Sequence, residues 1–312
     1  MIYTITLNPA IDLFIDTEKM EPNIVNRTKK YDIQANGKGI NVSFILKELS
    51  VESTAIGVGN GFTAKYIQDE LQQNHIQHYF TESQGTTRIN VFTRVKEGDK
   101  EYKLVNPGPV VGIHEQAKLL QYLETKLKRN DVICISGSFS QGIEPDILTK
   151  FAKIAVTKDA KIVIDTSYKQ VMEVLKYHPW IIKPNEDEIK SWFNIKSPLP
   201  PEDLAKLGRE LIKQGAQLVL ISLGGKGAIL VSKDKILYGN APKINILNTA
   251  GAGDSMLGTF IGNLTKGIDN ATALKKAIAA GSDAARREWI TDFTAAAKLE
   301  EEIQIMDDFL KF

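Results

Sequence analysis

The strongest constraint on the fold is a repeated alternation of short apolar runs with longer segments of helical period. Ile2 to Leu7, Val132 to Ile135, Lys161 to Ile164, Trp180 to Ile182, Val219 to Ser222 and Ala228 to Val231 are brief and rich in β-branched residues. Each gives way to polar residues or glycine. Apolarity on successive residues suits strands covered on both faces, and such strands are typically parallel. Between them, Ile113 to Leu127 sets Ala117, Leu120, Leu123 and Leu127 at helical spacing. Asp203 to Gln214 does the same with Leu204, Leu207, Leu211 and Ile212. Strand and helix in turn imply crossover units, and hence an α/β chain with a mostly parallel, doubly wound central sheet.

The stretch from about residue 11 to residue 106 reads differently. Leu13 to Ile15 and Thr87 to Val95 show partial period-two alternation. Glu101 to Val105 follows the turn Glu97-Gly98-Asp99-Lys100, which is a hairpin signal. These strands, within roughly 11–36 and 86–106, are expected to form a small second sheet. A small sheet beside a large one is often a lid over a ligand. Lys196-Ser197-Pro198-Leu199-Pro200-Pro201 reads as a connection within one domain, so residues 1–312 are expected to form a single unit.

Composition narrows the partners. The 39 basic and 38 acidic residues leave a net charge of +1, without the basic excess of a nucleic-acid binder. The single cysteine, Cys134, permits no internal disulfide and fits a reducing cytoplasm. Met1 to Leu7 lacks the basic start and apolar run of a signal peptide. No stretch approaches the roughly 18 apolar residues of a membrane span. A cytoplasmic protein without membrane or nucleic-acid partners is therefore expected.

Several familiar motifs are absent. Asn36-Gly37-Lys38-Gly39 has glycine where a P-loop needs Ser or Thr. Gly57-Val58-Gly59-Asn60-Gly61 lacks dinucleotide spacing, and neither serine in Gly137 to Gly142 has glycines two residues away on both sides. The four histidines show no metal-ligand spacing.

Four segments carry chemistry. In Asn248-Thr249-Ala250-Gly251-Ala252-Gly253-Asp254-Ser255, small residues open into an apolar helix, so backbone N–H groups and the helix terminus can meet an anion. Asp254 reads equally as a general base for a substrate hydroxyl or as an N-terminal cap. Ser222-Leu223-Gly224-Gly225-Lys226-Gly227 follows a strand; it suits a nucleotide passing close to the backbone, or a tight β-turn. Lys183-Pro184-Asn185-Glu186-Asp187-Glu188 offers an amide and a carboxylate for a hydrated Mg²⁺, or an acidic helix start. Near the N-terminus, Asp12, Gly37, Lys38 and Asn41, with Arg27, Arg88 and Lys103, combine hydroxyl-binding groups with cations suited to a polyol phosphate. Singly, each is an ordinary solvated group.

Taken in order, these segments resemble the phosphofructokinase B group of ribokinase-like carbohydrate kinases, nearly end to end. The resemblance rests on Thr6 to Asp12, Gly37 to Ser43, Thr87 to Val91, Ser136-Gly137-Ser138, Lys183-Pro184-Asn185 with Glu188, Ser222-Leu223-Gly224, and Asn248 to Ser255. Within the group, the sequence is most similar to the bacterial kinases of fructose 1-phosphate. The resemblance implies a ribokinase-like fold with a small β-sheet lid that often serves in dimerisation, and ATP with Mg²⁺. It implies Asp254 as base, with Gly251, Ala252 and Gly253 shaping the anion site and the amides of Ala252 and Gly253 holding the transferring phosphoryl group. Lys183, Asn185, Ser222, Gly224 and Gly227 would face ATP, and Asn185 with Glu188 would organise Mg²⁺ through water. Asp12, Arg27, Gly37, Lys38, Asn41 and Arg88 would grip the sugar phosphate. The reaction implied is phosphorylation of fructose 1-phosphate at its 6-hydroxyl. Tagatose-6-phosphate kinase and a catalytically silent sugar-phosphate sensor are the alternatives. The sequence departs from the pattern at Asn36, where the subgroup usually has glycine. It departs again at Asn60, at Phe139-Ser140-Gln141, and at Asp283 with Arg286 to Trp289, where small apolar residues are usual.

Overall fold

Every residue of Ile2–Thr6 is buried, as a strand covered on both faces demands. This strand, β1, lies inside a ten-stranded sheet in the computed structural model, which describes residues 1–307. After β1 the chain runs β2 (Ala10–Thr17), β3 (Lys30–Asn36), α1 (Lys38–Glu48), β4 (Ser53–Val58), α2 (Gly61–Gln73), β5 (Gln77–Thr81), β6 (Arg88–Val95) and β7 (Lys100–Leu104). It continues through α3 (Ile113–Lys126), β8 (Val132–Ser136), α4 (Ile147–Thr157), β9 (Lys161–Asp165), α5 (Val171–Val174), β10 (Ile181–Ile182), α6 (Glu186–Trp192) and α7 (Pro201–Lys213). It closes with β11 (Leu218–Ser222), β12 (Ala228–Ser232), β13 (Ile236–Gly239), α8 (Ala252–Thr265), α9 (Asn270–Ala285), α10 (Ala296–Glu301) and β14 (Ile305–Asp307).

The large sheet has the order β14-β13-β12-β11-β10-β9-β8-β1-β4-β5. From β11 to β5 every pairing is parallel, so the sheet is mostly parallel as expected. Ala228 to Val231 departs from that expectation. It pairs antiparallel with β11, because a glycine turn, too short for a crossover, joins the two strands. Residues of β1 alternate between two cores. Tyr3 and Ile5, with Leu7 just beyond the strand, pack with Leu119, Phe151 and Leu211, while Ile2 joins Val42, Leu257 and Phe260 on the other face. Each fully buried side chain of this size contributes about 1.5–3 kcal/mol. On α3 the buried positions are Leu119 and Leu123, followed by Leu127, whereas Ala117 is exposed. The inward face is thus rotated from the one expected.

The second sheet has the order β3-β2-β6-β7. Its β6–β7 hairpin closes where the turn signal placed it, with Val95 opposite Lys100. Asp12 on β2 lies level with Asn90 on β6 and Gln34 on β3. Gly37 joins this sheet to α1 at φ 144°, and a Cβ there would stand 2.6 Å from the Thr6 side chain. A residue with a side chain would strain both backbone and contact.

Glycine also sets the depth of α8. A Cβ on Gly258 would meet Ile45 at 2.7 Å, and one on Gly262 would meet Leu49 at 2.8 Å. Their bare backbones let α8 press against α1, which brings the first turns of both helices to one place.

Candidate active site

The parallel strand order reverses at β1, which has β4 on one side and β8 on the other. Open α/β sheets bind ligands beyond the carboxyl ends of the strands at such a switch point. A cleft of about 860 Å³ lies there. Its walls include Asn8 after β1, Ser136 and Gly137 at the end of β8, Lys183 after β10, Ser222 ending β11, and Asp12, Asn36, Arg88 and Asn90 from the second sheet.

Asp254 lies in the first turn of α8 and is 5% exposed. The helix cap is Gly251, at φ 78° with no side-chain capping bond, so Asp254 is not the cap. Its Oδ2 accepts from Asn41 Nδ2 at 2.7 Å. Burial pushes its carboxyl up to about 6, with Lys38 and the Asn41 bond pulling the other way. Gly253, one residue before it, lines the cleft beside Lys183, whose Nζ would lie 3.5 Å from a Cβ placed there. The Ala252 amide is drawn into a turn, donating to Thr249 O at 3.3 Å.

Asp12 is also buried, at 4% exposure. Its Oδ1 accepts from Asn90 Nδ2 at 2.8 Å, and its Oδ2 accepts from Asn36 Nδ2. Burial raises its carboxyl above the usual range against the pull of Asn90, Arg88 and Asn36. Arg88 donates to two main-chain carbonyls, Asn8 O at 3.0 Å and Asn106 O at 3.2 Å. Its guanidinium is thereby oriented by neutral acceptors, which leaves its charge available to an anion.

Asp165 ends β9 at 1% exposure and faces two ammonium groups, Lys183 at 3.2 Å and Lys38 at 3.4 Å. Burial opposes its charge, but Lys183 and Lys38 together hold its carboxyl below the usual range. Asp165 in turn raises the ammonium of Lys38 above the ordinary lysine range. No motif marked Asp165. Its position as the acid just after the predicted strand Lys161 to Ile164, at the carboxyl end of a parallel strand, is the signal that could have found it.

Asn185 caps α6, and the alternative reading as a helix start is realised. Its Oδ1 accepts from the Glu188 amide while Glu188 Oε2 accepts from the Asn185 amide, both at 2.8 Å. Both residues also line the cleft. The Ser222–Gly227 segment is likewise the tight turn between β11 and β12 and a cleft wall at once. A Cβ on Gly227 would stand 1.9 Å from Gly239 O, whereas one on Gly224 would meet open space.

The structure gathers Asp12, Gly37, Lys38, Asn41, Arg88, Lys183, Asn185, Glu188, Ser222, Gly224, Gly227, Gly251, Ala252, Gly253 and Asp254 around one cleft. Arg27 and Lys103 are the exceptions. Arg27 is exposed on the segment between β2 and β3, which extends away from the strand ends that build the cleft, and Lys103 is exposed on the edge strand β7; neither is part of the lining. Asn8 and Asn90 lie inside the quoted segments without an assigned role, Asn36 stood out only as a departure from the pattern, and Asp165 was missed altogether.

Residues 3–290 match the sequence profile of the pfkB family carbohydrate kinases. The chain is 38% identical to a D-tagatose-1-phosphate kinase of Bacillus licheniformis, over 98% of this chain and 99% of that protein. It is 30% identical to a 1-phosphofructokinase of Bacillus subtilis with the same coverage. The fold superposes on phosphofructokinase-2 from Escherichia coli in complex with fructose-6-phosphate at a TM-score of 0.86 and 25% identity, covering 96% of this chain and 98% of that one.

Proposed function

The chain belongs to the pfkB family of carbohydrate kinases, and on that premise we propose that it uses ATP to phosphorylate the 6-hydroxyl of a ketohexose 1-phosphate, fructose 1-phosphate first among them. The carrying observation is Asp254: a buried carboxylate in the first turn of a helix whose amino end opens into the same cleft as Arg88 and Lys183. A carboxylate there is suited to take a proton, since the helix terminus and lysines can meet the charge of the transferring group.

Asp254 accepts the proton of the 6-hydroxyl as that oxygen forms its bond to the γ-phosphorus. The bond from the γ-phosphorus to the β–γ bridging oxygen breaks, and ADP leaves with the electron pair. The Gly253 backbone and Lys183 face the charge that develops on the transferred group. Asp12 and Asn90 receive sugar hydroxyls, while Arg88, with Lys38 nearby, binds the phosphate already present. The Ser222–Gly227 turn forms the shelf for the nucleotide.

Glu188 and Asn185 suit a hydrated Mg²⁺, because the capping bonds leave lone pairs on the Glu188 carboxylate free for metal-bound water. The metal supplies charge neutralisation on the nucleotide phosphates. The small sheet would serve as lid, excluding water that competes as acceptor. Its exposed Tyr31, Ile33, Tyr102 and Leu104 suit contact with a second copy of the chain.

D-tagatose 1-phosphate is the second reading, favoured by the name of the 38% identical relative. A coupled ADP-release screen with Mg²⁺ over the 1- and 6-phosphates of fructose and tagatose tests both. The expected result is a kcat/KM at least about tenfold higher on a 1-phosphate, the scale of one well-made polar contact. Turnover of the 6-phosphates alone would sink the proposal.

A further inference from the structure

Asp12 and Asp254 stand on separate parts of the fold and are joined by amides. Asn36, the last residue of β3, donates through Nδ2 to Asp12 Oδ2. Its carbonyl oxygen accepts from the Gly37 N–H and from Asn41 Nδ2, the latter at 2.9 Å. The same Asn41 nitrogen donates to Asp254 Oδ2. A continuous line of hydrogen bonds therefore leaves the small sheet at Asn36 and ends on the candidate base.

This arrangement locks two side chains. A carboxylate with a donor on each oxygen cannot turn about its terminal torsion, so the lone pairs left to Asp12 point in set directions. The Asn36 amide cannot flip either. Reversal would turn its NH₂ against two N–H donors and its oxygen against a carboxylate. A hydroxyl of one configuration then meets a free lone pair of Asp12, and its epimer leaves that buried lone pair unmatched. Buried polar groups left unmatched are what allow a site to reject a near-identical substrate.

We propose that Asn36 is a specificity-determining residue, one that positions Asp12 so that the sugar subsite distinguishes sugar phosphates differing in the configuration of one hydroxyl. The proposal rests on the ketohexose-phosphate reading above, and the test separates the two. Asn36→Ala removes the amide. Asn36→Asp keeps its shape and the acceptor oxygen toward Gly37 and Asn41 but turns a like charge on Asp12.

The measurement is kcat/KM for fructose 1-phosphate and tagatose 1-phosphate, which are epimers at carbon 4, in the natural protein and both variants, with KM for ATP alongside. The natural protein is expected to prefer one epimer by about tenfold or more. Both variants should reduce that ratio at least about fivefold, with KM for ATP within about twofold. A ratio unchanged within about twofold, whatever the loss of overall rate, overturns the proposal and leaves Asn36 a structural role; so does a natural protein without preference. If neither 1-phosphate is turned over, the 1-phosphate reading fails, and the same ratio read on the 6-phosphates decides for Asn36. Turnover of none of the four overturns both. Should the alanine variant fail to fold, the isosteric aspartate variant decides alone.

Discussion

Asn41 Nδ2 donates to Asp254 Oδ2 at 2.7 Å, so the candidate base takes its side-chain hydrogen bond from α1 and not from its own helix. Close approach of the two helices, allowed by Gly258 and Gly262, is what makes that bond reachable. The carboxylate is thereby oriented from outside its own helix.

Asp254→Asn keeps the shape and removes the base. Turnover should fall about 10²- to 10⁴-fold, the range for a positioned general base, with sugar KM little changed. Steady-state ADP release checks it, and turnover equal to that of the natural protein would remove Asp254 from the mechanism.

Only the ionised carboxylate accepts a proton. With Asp254 at about 6 in the free protein, kcat/KM should rise with pH through that value and level off above it. The Asn41 bond favours the charged form, so Asn41→Leu should move this limb to higher pH. A pH profile of kcat/KM that does not move in the variant counts against the assignment.

The same shift sets a stability difference. The folded carboxyl holds its proton more tightly than the ordinary value of 3.8. Its favourable contribution is complete below about 3.8 and is lost as pH rises through about 6. Above that, the buried charge costs roughly 3 kcal/mol. Asp254→Asn should raise the melting temperature at pH 7.5 and leave it nearly unchanged at pH 4. Thermal unfolding at both values tests this; a variant no more stable at pH 7.5 contradicts it.

Asp165 balances the buried Lys183 and the more exposed Lys38. Asp165→Asn should lower unfolding stability by about 3–5 kcal/mol, since it leaves the buried Lys183 ammonium without its partner. Denaturant unfolding measures this, and a loss under about 1 kcal/mol would show Lys183 to be solvated instead.

Arg88 is oriented by two carbonyls and faces the cleft. Arg88→Met should raise KM for the sugar phosphate about 10- to 100-fold, the worth of a charge-assisted bond, and leave KM for ATP within about threefold. A variant whose two KM values rise together would place Arg88 outside the phosphate subsite.

Local patterns carried much of this protein. The β-branched runs marked the strands because a strand covered on both faces must be apolar on successive residues. The glycine turn at residues 248–255 marked one wall of the candidate cleft, because small residues let the backbone line it closely. Direction was less legible at Ala228–Ser232, where an antiparallel edge strand is as buried as a parallel one. Ala117 and Arg27 misled for one reason: helical spacing and positive charge do not say which way a side chain faces.

The amino-acid sequence by itself determined the α/β class, the hairpin and the turn that carries Asp254, since each depends on residues near one another in the chain. Only the tertiary structure decided that Asp165 lies between Lys38 and Lys183, and that Asn36 and Asn41 tie Asp12 to Asp254 across 242 residues. Those contacts depend on strand order and on how closely two helices pack. Both follow from the summed burial of the whole core, which no short stretch of sequence contains.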